Sequence, residues 1–173
     1  MSGIVVLVGN PKAQSRTLKV AIALAERIAR RRDLHVRHII DLAGISHHVF
    51  DWPSEPMSRL TRIVSEAELV VVATPTYKAS YTGLLKAFLD RYSRNGLDGV
   101  VAVPVMTTSS AEHALAVDYT LTPLLAELGA TVPTRGVTFH TRDMPDLYAI
   151  LDEWVERNDA RLATAGARRL QSA

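Results

Sequence analysis

Five short apolar runs, rich in β-branched residues, alternate along the chain with segments of helical periodicity. The runs lie at 4–8, 34–40, 67–75, 100–106 and 136–140, and the helical segments lie at 15–32, 57–65, 83–94, 111–128 and from Met144 or Pro145 onward. The stretch 42–56 shows neither period and is predicted to be an irregular loop. Regular alternation of strands and helices predicts an α/β fold, in which helices cover both faces of a parallel sheet.

The order of the strands decides where a ligand would bind. A doubly wound five-stranded sheet of this kind commonly has the order 2-1-3-4-5, with ligands at the carboxyl ends of strands 1 and 3. We expect that order here. The loops at those two ends cover residues 9–17 and 74–83, so we expect the functional site between them.

Length, charge and cysteine content limit the class of protein. A chain of 173 residues fits one domain, which we expect over 1–165, with 166–173 as a frayed tail. A formal net charge of +2 does not favour a nucleic-acid surface. The absence of cysteine excludes disulfides, thiolate catalysis and Cys-ligated zinc. The run GIVVLVG is too short to span a membrane, so we expect a cytoplasmic protein.

The first loop, GNPKAQSRT, places many hydrogen-bonding groups between a strand and a helix. The first N–H groups of a helix lack intrahelical partners, and the helix dipole favours an anion there. This predicts a phosphate site with Lys12 and Arg16 as compensating cations. The loop has neither the Walker pattern nor Gly-x-Gly-x-x-Gly, which disfavours an NTPase or a Rossmann dinucleotide site. A helix capped by Ser15 or Asn10, with solvated cations, fits the loop equally well.

The second loop lies within TPTYKASYTGLLKAFLD, residues 74–90. A planar ring with polar edges needs backbone amides along its edge and an apolar or aromatic wall on one face. Pro75 stiffens the turn, and the residues up to Gly83 offer such amides together with two tyrosines. The alternative is an ordinary strand-to-helix loop that contains aromatic residues by chance.

Three segments together resemble the NAD(P)H-dependent FMN reductase family, which has the flavodoxin-like fold. They are GNPKAQSRT, ATPTYKASYTGLLKAFLD and EHALAVDYTLTPLLAELGA. The likeness is greatest to the reductase components of two-component flavin-dependent monooxygenases, such as the alkanesulfonate type, and it extends to about Gly136. It implies that the FMN phosphate contacts Gly9, Asn10, Lys12, Ser15, Arg16 and Thr17. It also implies that the ribityl chain and the isoalloxazine edge contact Thr74, Pro75, Thr76, Tyr77, Lys78 and Ser80.

The chain departs from the family pattern at Thr108 and Ser109, two further cofactor-binding positions where relatives tend to have glycines. Side chains at these positions predict a loosely held flavin, which suits a reductase that treats FMN as a substrate. Asn10 and Lys12 replace the usual serine and arginine but keep a donor and a charge. Hydride transfer from NAD(P)H needs stacked rings rather than an acid or a base. We therefore nominate no catalytic side chain.

Three histidines are candidates for chemistry, and the sequence favours ordinary roles for all of them. His113 follows strand 4 at the ligand end, but a lone histidine near a helix start is more often a structural hydrogen-bond donor. His47 and His48 have no acidic or cysteine partner at metal-ligand spacing. We expect them at the surface and predict no metal site.

Pro123 lies inside the predicted helix 111–128 and cannot donate a hydrogen bond to the carbonyl of Tyr119. A kink or a π-bulge relieves such a conflict, and we expect one near 118–122. The resemblance associates a tyrosine-bearing π-helix with a tetramer interface. It therefore implies a homotetramer or homodimer with Tyr119 near the interface. The alternative is a kinked core helix in which Tyr119 is buried within one subunit.

The leading hypothesis is an NAD(P)H-dependent FMN reductase that supplies reduced flavin to a partner monooxygenase. One alternative keeps FMN bound and reduces a quinone, an azo dye or a metal oxyanion. Another is a flavodoxin-like electron carrier without nicotinamide chemistry, although such carriers are typically acidic and this chain has a net charge of +2. The sequence does not distinguish NADH from NADPH.

Overall fold

Five parallel strands form one sheet in the computed structural model, which describes residues 3–172 and the side chains of residues 3–165. The strands are β1 (Ile4–Val8), β2 (Val36–Asp41), β3 (Leu69–Pro75), β4 (Val101–Thr108) and β5 (Val137–His140). They are hydrogen-bonded in the order β2-β1-β3-β4-β5, which confirms the predicted doubly wound, flavodoxin-like arrangement.

Helices cover both faces of this sheet. One face carries α1 (Arg16–Arg32) and α5 (Leu147–Ser172), and the other carries α2 (Glu55–Ser65), α3 (Gly83–Leu89) and α4 (Thr122–Glu127). Every residue of β1, β3 and β4 is buried, because alternate side chains enter two separate apolar cores. No helix among residues 3–172 combines the length and the apolar character that crossing a bilayer requires.

The register of the sheet brings the carboxyl ends of β1, β3 and β4 to one edge. Pro75 of β3 lies beside Thr107 of β4. The hydrogen bonding extends past the strand ends, because the N–H of Gly9 donates to the carbonyl of Ala73 and the N–H of Thr76 donates to that of Thr107. The loops that follow these three strands are therefore held next to one another.

The prediction of an irregular loop over 42–56 is wrong at both ends. A 3₁₀-helix covers Leu42–His48, and α2 begins at Glu55 instead of Met57. Pro56 then lies in the first turn of α2, where its missing N–H removes no helical hydrogen bond. The residues between these two helices form the only irregular part of the predicted loop.

Helix α3 ends at Leu89 rather than at the predicted Arg94. The N–H groups of Arg91 and Tyr92 donate to carbonyls three residues back, so the chain tightens after the last helical turn. The Tyr92 ring packs edge-on against Phe88, with ring centroids 6.1 Å apart. Its hydroxyl donates to a backbone carbonyl of α2. After Leu89 the chain therefore continues in turns, with Tyr92 held against Phe88 and α2.

The predicted long helix over 111–128 is divided into three elements. They are a 3₁₀-helix over Ala111–His113, a π-helix over Val117–Leu121 and α4. The N–H of Thr122 donates to the carbonyl of Val117, five residues back. The π-helix confirms the irregularity expected near 118–122 from Pro123.

Tyr119 projects from the π-helix into solvent. Its exposed fraction is 75%, and that of nearby Leu115 is 55%. The alternative of a tyrosine buried within one subunit is therefore wrong. Contact between Tyr119 and a second subunit stays a prediction.

The last helix begins later than predicted. Met144 and Pro145 lie in a 3₁₀-helix over Thr141–Asp146, and α5 starts at Leu147. The frayed tail predicted over 166–173 falls on residues whose side chains lie outside the described part of the chain. The division into a domain over 1–165 and a tail therefore stays a prediction.

Candidate functional site

An open cleft of about 320 Å³ lies at the carboxyl edge of the sheet, between the loops that follow β1, β3 and β4. Most of the site residues predicted from the sequence line it: Asn10, Lys12, Ser15, Arg16, Thr17, Pro75, Thr76, Tyr77, Thr108 and Ser109. The others lie in the same loops but outside the lining of this cleft: Gly9, Thr74, Lys78 and Ser80. The predicted site residues therefore converge on one place.

The N-terminus of α1 forms one end of the cleft. Ser15 is the N-cap, and its Oγ accepts a hydrogen bond from the N–H of Leu18 at 3.2 Å. Four N–H groups at this end have no acceptor among the described residues: those of Ala13, Ser15, Arg16 and Thr17. Together with the helix dipole, these donors favour a bound anion, which is the chemistry predicted for this loop.

The charge of the cleft is positive. Lys12, Arg16 and Lys19 line it, and no carboxylate does among the described residues. All three cationic side chains are exposed. An arginine can bind two oxygens of a phosphate with its planar guanidinium, whereas a lysine acts as a point charge. The three cations therefore complement the free N–H groups as partners for a phosphate.

A buried hydrogen-bond network holds the first loop in place. Oγ1 of Thr17 lies 2.7 Å from Oγ1 of Thr107, and Nδ2 of Asn10 donates to Oγ1 of Thr17 at 3.0 Å. Oδ1 of Asn10 accepts from the N–H of Lys12 at 2.9 Å. The side chains of Asn10 and Thr17 therefore shape the loop. The groups that remain free to contact an anion are the backbone N–H groups, the Ser15 hydroxyl and the cations.

The loop after β3 closes in a tight turn over residues 77–80. The N–H of Tyr77 donates to the carbonyl of Ser80 at 2.8 Å, and the N–H of Ser80 donates back at 3.1 Å. Lys78 and Ala79 have φ values of 50° and 61°, the signs of a type I′ turn, in which glycine or asparagine is usual. Other residues in this left-handed region are strained, and such strain clusters at ligand sites. The turn presents Tyr77 to the cleft.

Gly9 and Thr74 lie at the carboxyl ends of β1 and β3, next to the cleft but outside its lining. A Cβ added to Gly9 would lie 2.3 Å from the Cβ of Leu85, so glycine here permits close packing of the first loop against α3. Oγ1 of Thr74 accepts from the N–H of Thr82 at 3.1 Å and donates to the carbonyl of Pro75 at 3.0 Å. Both residues therefore position the loops that line the cleft.

Thr108 and Ser109 form the edge of the cleft that follows β4. Oγ1 of Thr108 donates to the carbonyl of Ser110 at 3.0 Å and accepts from the N–H of Ser110 at 3.1 Å. The Thr108 hydroxyl therefore closes its own turn, while Ser109 is exposed. Both residues add side-chain atoms at positions where the sequence resemblance places glycines.

The histidines do not join the cleft. The ring of His113 makes no hydrogen bond with any described residue, so the expected structural hydrogen bond is not found. Nδ1 of His48 lies 2.8 Å from a carboxylate oxygen of Asp51, and the His47 ring packs beside that of His48. Residues 3–165 contain no group of three or more side chains that could hold a metal ion.

Sequence reasoning misses four residues that line the cleft: Gln14, Lys19, Thr107 and Thr141. Lys19 lies one helical turn beyond Ser15, so helical periodicity could have identified it. Gln14 has φ of 51°, and its N–H donates to Asp41 at 3.3 Å, a conformation that no local pattern predicts. Thr141 lies beyond the part of the chain that the resemblance covers.

Comparison with known proteins shows the family to which the chain belongs. Residues 3–143 match the sequence profile of the family described as NADPH-dependent FMN reductase. The chain is 33% identical over 138 residues to the FMN reductase (NADPH) of Escherichia coli K12, over 78% of this chain and 71% of that protein. It is 34% identical over 169 residues to the NADH-dependent FMN reductase SfnF of Pseudomonas putida, over 95% and 91% of the two chains. The apo crystal structure of the NADH:FMN oxidoreductase EmoB aligns with a TM-score of 0.81 at 28% identity, over 97% and 90%.

Proposed function

Because the chain belongs to the NADPH-dependent FMN reductase family, we propose that this NAD(P)H:FMN oxidoreductase releases its reduced flavin to a partner flavin-dependent monooxygenase. The release of the flavin and the partner go beyond the family assignment. Release is supported by the exposure of the cations that line the cleft.

The residues of the cleft fit FMN. The four free N–H groups at the start of α1 would hold its phosphate, together with the Ser15 hydroxyl and the cations Lys12 and Arg16. The loop residues 75–77 and 108–109 would hold the ribityl chain and the ring at the other end. This assignment uses the predicted residues of all three loops that line the cleft, while Asn10 keeps the first loop in shape.

The chain contributes positioning and charge to the reaction. When bound, FMN accepts a hydride from the nicotinamide of NAD(P)H. The lining of the cleft contains neither a histidine nor a carboxylate among the described residues. The side chains present therefore bind and orient the two nucleotides and need not move a proton.

The observation that carries the proposal is the exposure of the two cations that would bind the phosphate. Lys12 and Arg16 are exposed, whereas the buried side chains of Asn10 and Thr17 make hydrogen bonds within the protein. Exposed charged contacts are screened by water and salt and contribute little each. A flavin held mainly by such contacts exchanges with solvent, as a substrate must.

A homo-oligomer is part of the same proposal. Tyr119 and Leu115 are large, exposed and close in sequence on the segment that contains the π-helix. We propose that this surface contacts a second copy in a homotetramer or homodimer. A cytoplasmic location, where NAD(P)H is available, completes the proposal.

Gel filtration tests the release of flavin. The protein is saturated with FMN and separated from free ligand, once oxidised and once after anaerobic reduction with NADPH or NADH. We expect the flavin to separate from the protein in both states. Retention of one FMN per chain in both states would contradict release and would favour a bound cofactor that reduces a second acceptor.

A further inference from the structure

Two buried threonine hydroxyls form a hydrogen-bonded pair in the lining of the cleft. Oγ1 of Thr17, in the first turn of α1, lies 2.7 Å from Oγ1 of Thr107, near the carboxyl end of β4. The two residues have exposed fractions of 1% and 3%, and both line the cleft. A buried hydroxyl needs an acceptor for its hydrogen, because an unmade hydrogen bond is costly away from bulk water.

The neighbours of this pair fix the direction of its hydrogen bonds. The N–H of Lys12 can only donate, so the oxygen of the Asn10 amide faces it at 2.9 Å and the NH₂ group faces Thr17. Oγ1 of Thr17 therefore accepts a hydrogen bond from Asn10. The cooperative arrangement is the one in which Thr17 then donates to Thr107, since each bond in such a chain polarises the next.

This direction leaves the hydrogen of the Thr107 hydroxyl without an acceptor. Oγ1 of Thr17 is the hydrogen-bond partner of that hydroxyl, and no other lies within residues 3–165. The opposite direction would free the hydrogen of Thr17 instead, and Thr17 also lines the cleft. In either case the pair offers one neutral, buried hydrogen-bond donor to a ligand in the cleft.

Thr107 lies between the two ends of the cleft. Its hydroxyl contacts the first turn of α1, where the free N–H groups would hold the FMN phosphate. Its neighbour in the sheet is Pro75, the first residue of the loop that presents Tyr77 at the other end. The ribityl chain joins the phosphate of FMN to its ring, and each ribityl hydroxyl can accept a hydrogen bond. The position of Thr107 therefore matches that chain.

We propose that Thr107 is a specificity-determining residue for the flavin, and that its hydroxyl donates a hydrogen bond to an oxygen of the ribityl chain. The inference rests on the proposed function, which places the phosphate at the start of α1. Thr17 and Asn10 are positioning residues, because they orient the Thr107 hydroxyl. The contact is neutral and buried, so salt does not screen it as it screens contacts of the exposed cations Lys12 and Arg16.

Calorimetric titration of oxidised FMN and of riboflavin into flavin-free protein tests the contact, since riboflavin has the same ribityl chain but no phosphate. We expect Thr107→Val, which keeps the shape of the side chain, to weaken the binding of both flavins by the same factor of about five, the effect of one neutral hydrogen bond. Thr107→Ser keeps the hydroxyl and should keep both affinities. If the valine disturbs folding, Thr107→Ala should show the same loss.

A matched control and a change of salt separate this contact from other effects. Thr122→Val removes a hydroxyl that is also buried and has no hydrogen-bond partner within residues 3–165, but that lies at the start of α4. It should change neither affinity. The weakening of FMN by Thr107→Val should be the same at about 50 mM and about 500 mM NaCl, whereas that by Arg16→Ala should shrink at the higher concentration.

The outcomes separate this inference from the proposed function. Weaker binding of FMN with unchanged binding of riboflavin would place the contact on the phosphate and overturn the ribityl assignment. Equal affinities of Thr107→Val and the wild type for both flavins would overturn it too, and would leave the release of flavin untouched. Loss of affinity in Thr107→Ser as large as in Thr107→Val would show a packing role and overturn it as well. Retention of FMN on gel filtration would contradict release alone.

Discussion

The hydroxyl of Thr82 donates a hydrogen bond to the carbonyl oxygen of Gly9, and so joins the loop after β1 to the loop after β3. Oγ1 of Thr82 also accepts a hydrogen bond from the N–H of Leu85 at 3.1 Å and so caps α3. The N–H of Thr82 donates to Oγ1 of Thr74. One buried side chain therefore sets the spacing between the anion-binding loop and the loop that presents Tyr77.

Thr82→Val should lower both the stability of the fold and the affinity for FMN. The change keeps the shape of the side chain but removes the cap of α3 and leaves the Gly9 carbonyl without this partner. We expect a loss of about 1–3 kcal/mol in the free energy of unfolding, measured by urea denaturation. Thr82→Ser keeps the hydroxyl and should lose less. Equal stability of Thr82→Val and the wild type would show that the two loops are held by other contacts.

The double variant Ser15→Ala/Arg16→Ala should bind FMN more weakly, by about 1–2 kcal/mol in total, because it removes one hydroxyl and one exposed cation. The measurement is the Kd of FMN by quenching of flavin fluorescence. Arg30→Ala, which removes an exposed cation from the last turn of the same helix, should leave that Kd unchanged. Unchanged affinity in the double variant would place the phosphate elsewhere.

Ser15→Asp separates the stability of α1 from anion binding. Aspartate is as good an N-cap as serine, and a negative charge is favourable at this end of a helix, so the free energy of unfolding should be kept. The carboxylate should nevertheless repel the FMN phosphate and weaken binding more than Ser15→Ala does. If Ser15→Asp binds FMN as well as the wild type, the N-terminus of α1 is not the phosphate site.

The central strands and the π-helix could be predicted because their causes are local. The strands β1, β3 and β4 are buried throughout and apolar except near their carboxyl ends, since both faces of the sheet are covered. Pro123 lies inside a segment of continuous helical periodicity and cannot donate to the carbonyl of Tyr119, so the irregularity near Tyr119 could be predicted from the sequence. The edge strand β2 exposes Arg37, His38 and Ile39, and its limits depend on its pairing with β1.

The roles of individual site residues depend on partners that are distant in sequence. The position of the cleft follows from the strand order, and therefore from the alternation of strands and helices. However, Thr17 points to Thr107, which lies 90 residues further along the chain, so a predicted phosphate ligand makes an internal hydrogen bond. The hydrogen bond from the Tyr92 hydroxyl to a carbonyl of α2 likewise joins residues that are far apart in the sequence. No local pattern carries this information.

Tyr92 should make the stability of the fold depend on alkaline pH. Burial raises the pKa of Tyr92 above its ordinary value near 10, so the native state keeps a neutral phenol while the unfolded chain ionises. The neutral phenol of Tyr92 therefore makes its full contribution to the free energy of unfolding below about pH 10. At higher pH the free energy of unfolding falls by about 1.4 kcal/mol per pH unit.

The comparison of Tyr92→Phe with the wild type isolates this effect. The variant loses the hydrogen bond to a carbonyl of α2 and should be less stable by about 1 kcal/mol at neutral pH. Urea denaturation from about pH 8 to pH 11 should show this difference shrinking above about pH 10. A difference that stays constant over the range would contradict the assignment.

Tyr119→Ala should reduce the size of the oligomer. Removal of a large exposed ring from the π-helix takes away apolar surface that the proposed interface would bury. Sedimentation velocity of the flavin-free protein gives the mass, with Phe50→Ala as a control that removes an equally exposed ring elsewhere. The same mass for Tyr119→Ala and the wild type over a wide concentration range would exclude Tyr119 from the interface.

Anaerobic reduction of FMN in large excess over the protein tests most directly whether the flavin is a substrate. NADH or NADPH is added to flavin-free protein, and the absorbance of oxidised flavin is followed for increasing ratios of FMN to chain. The account predicts that the whole FMN pool is reduced at every ratio, because each reduced flavin leaves and another takes its place. Reduction that stops at one FMN per chain would contradict it and show a bound cofactor that needs a second acceptor.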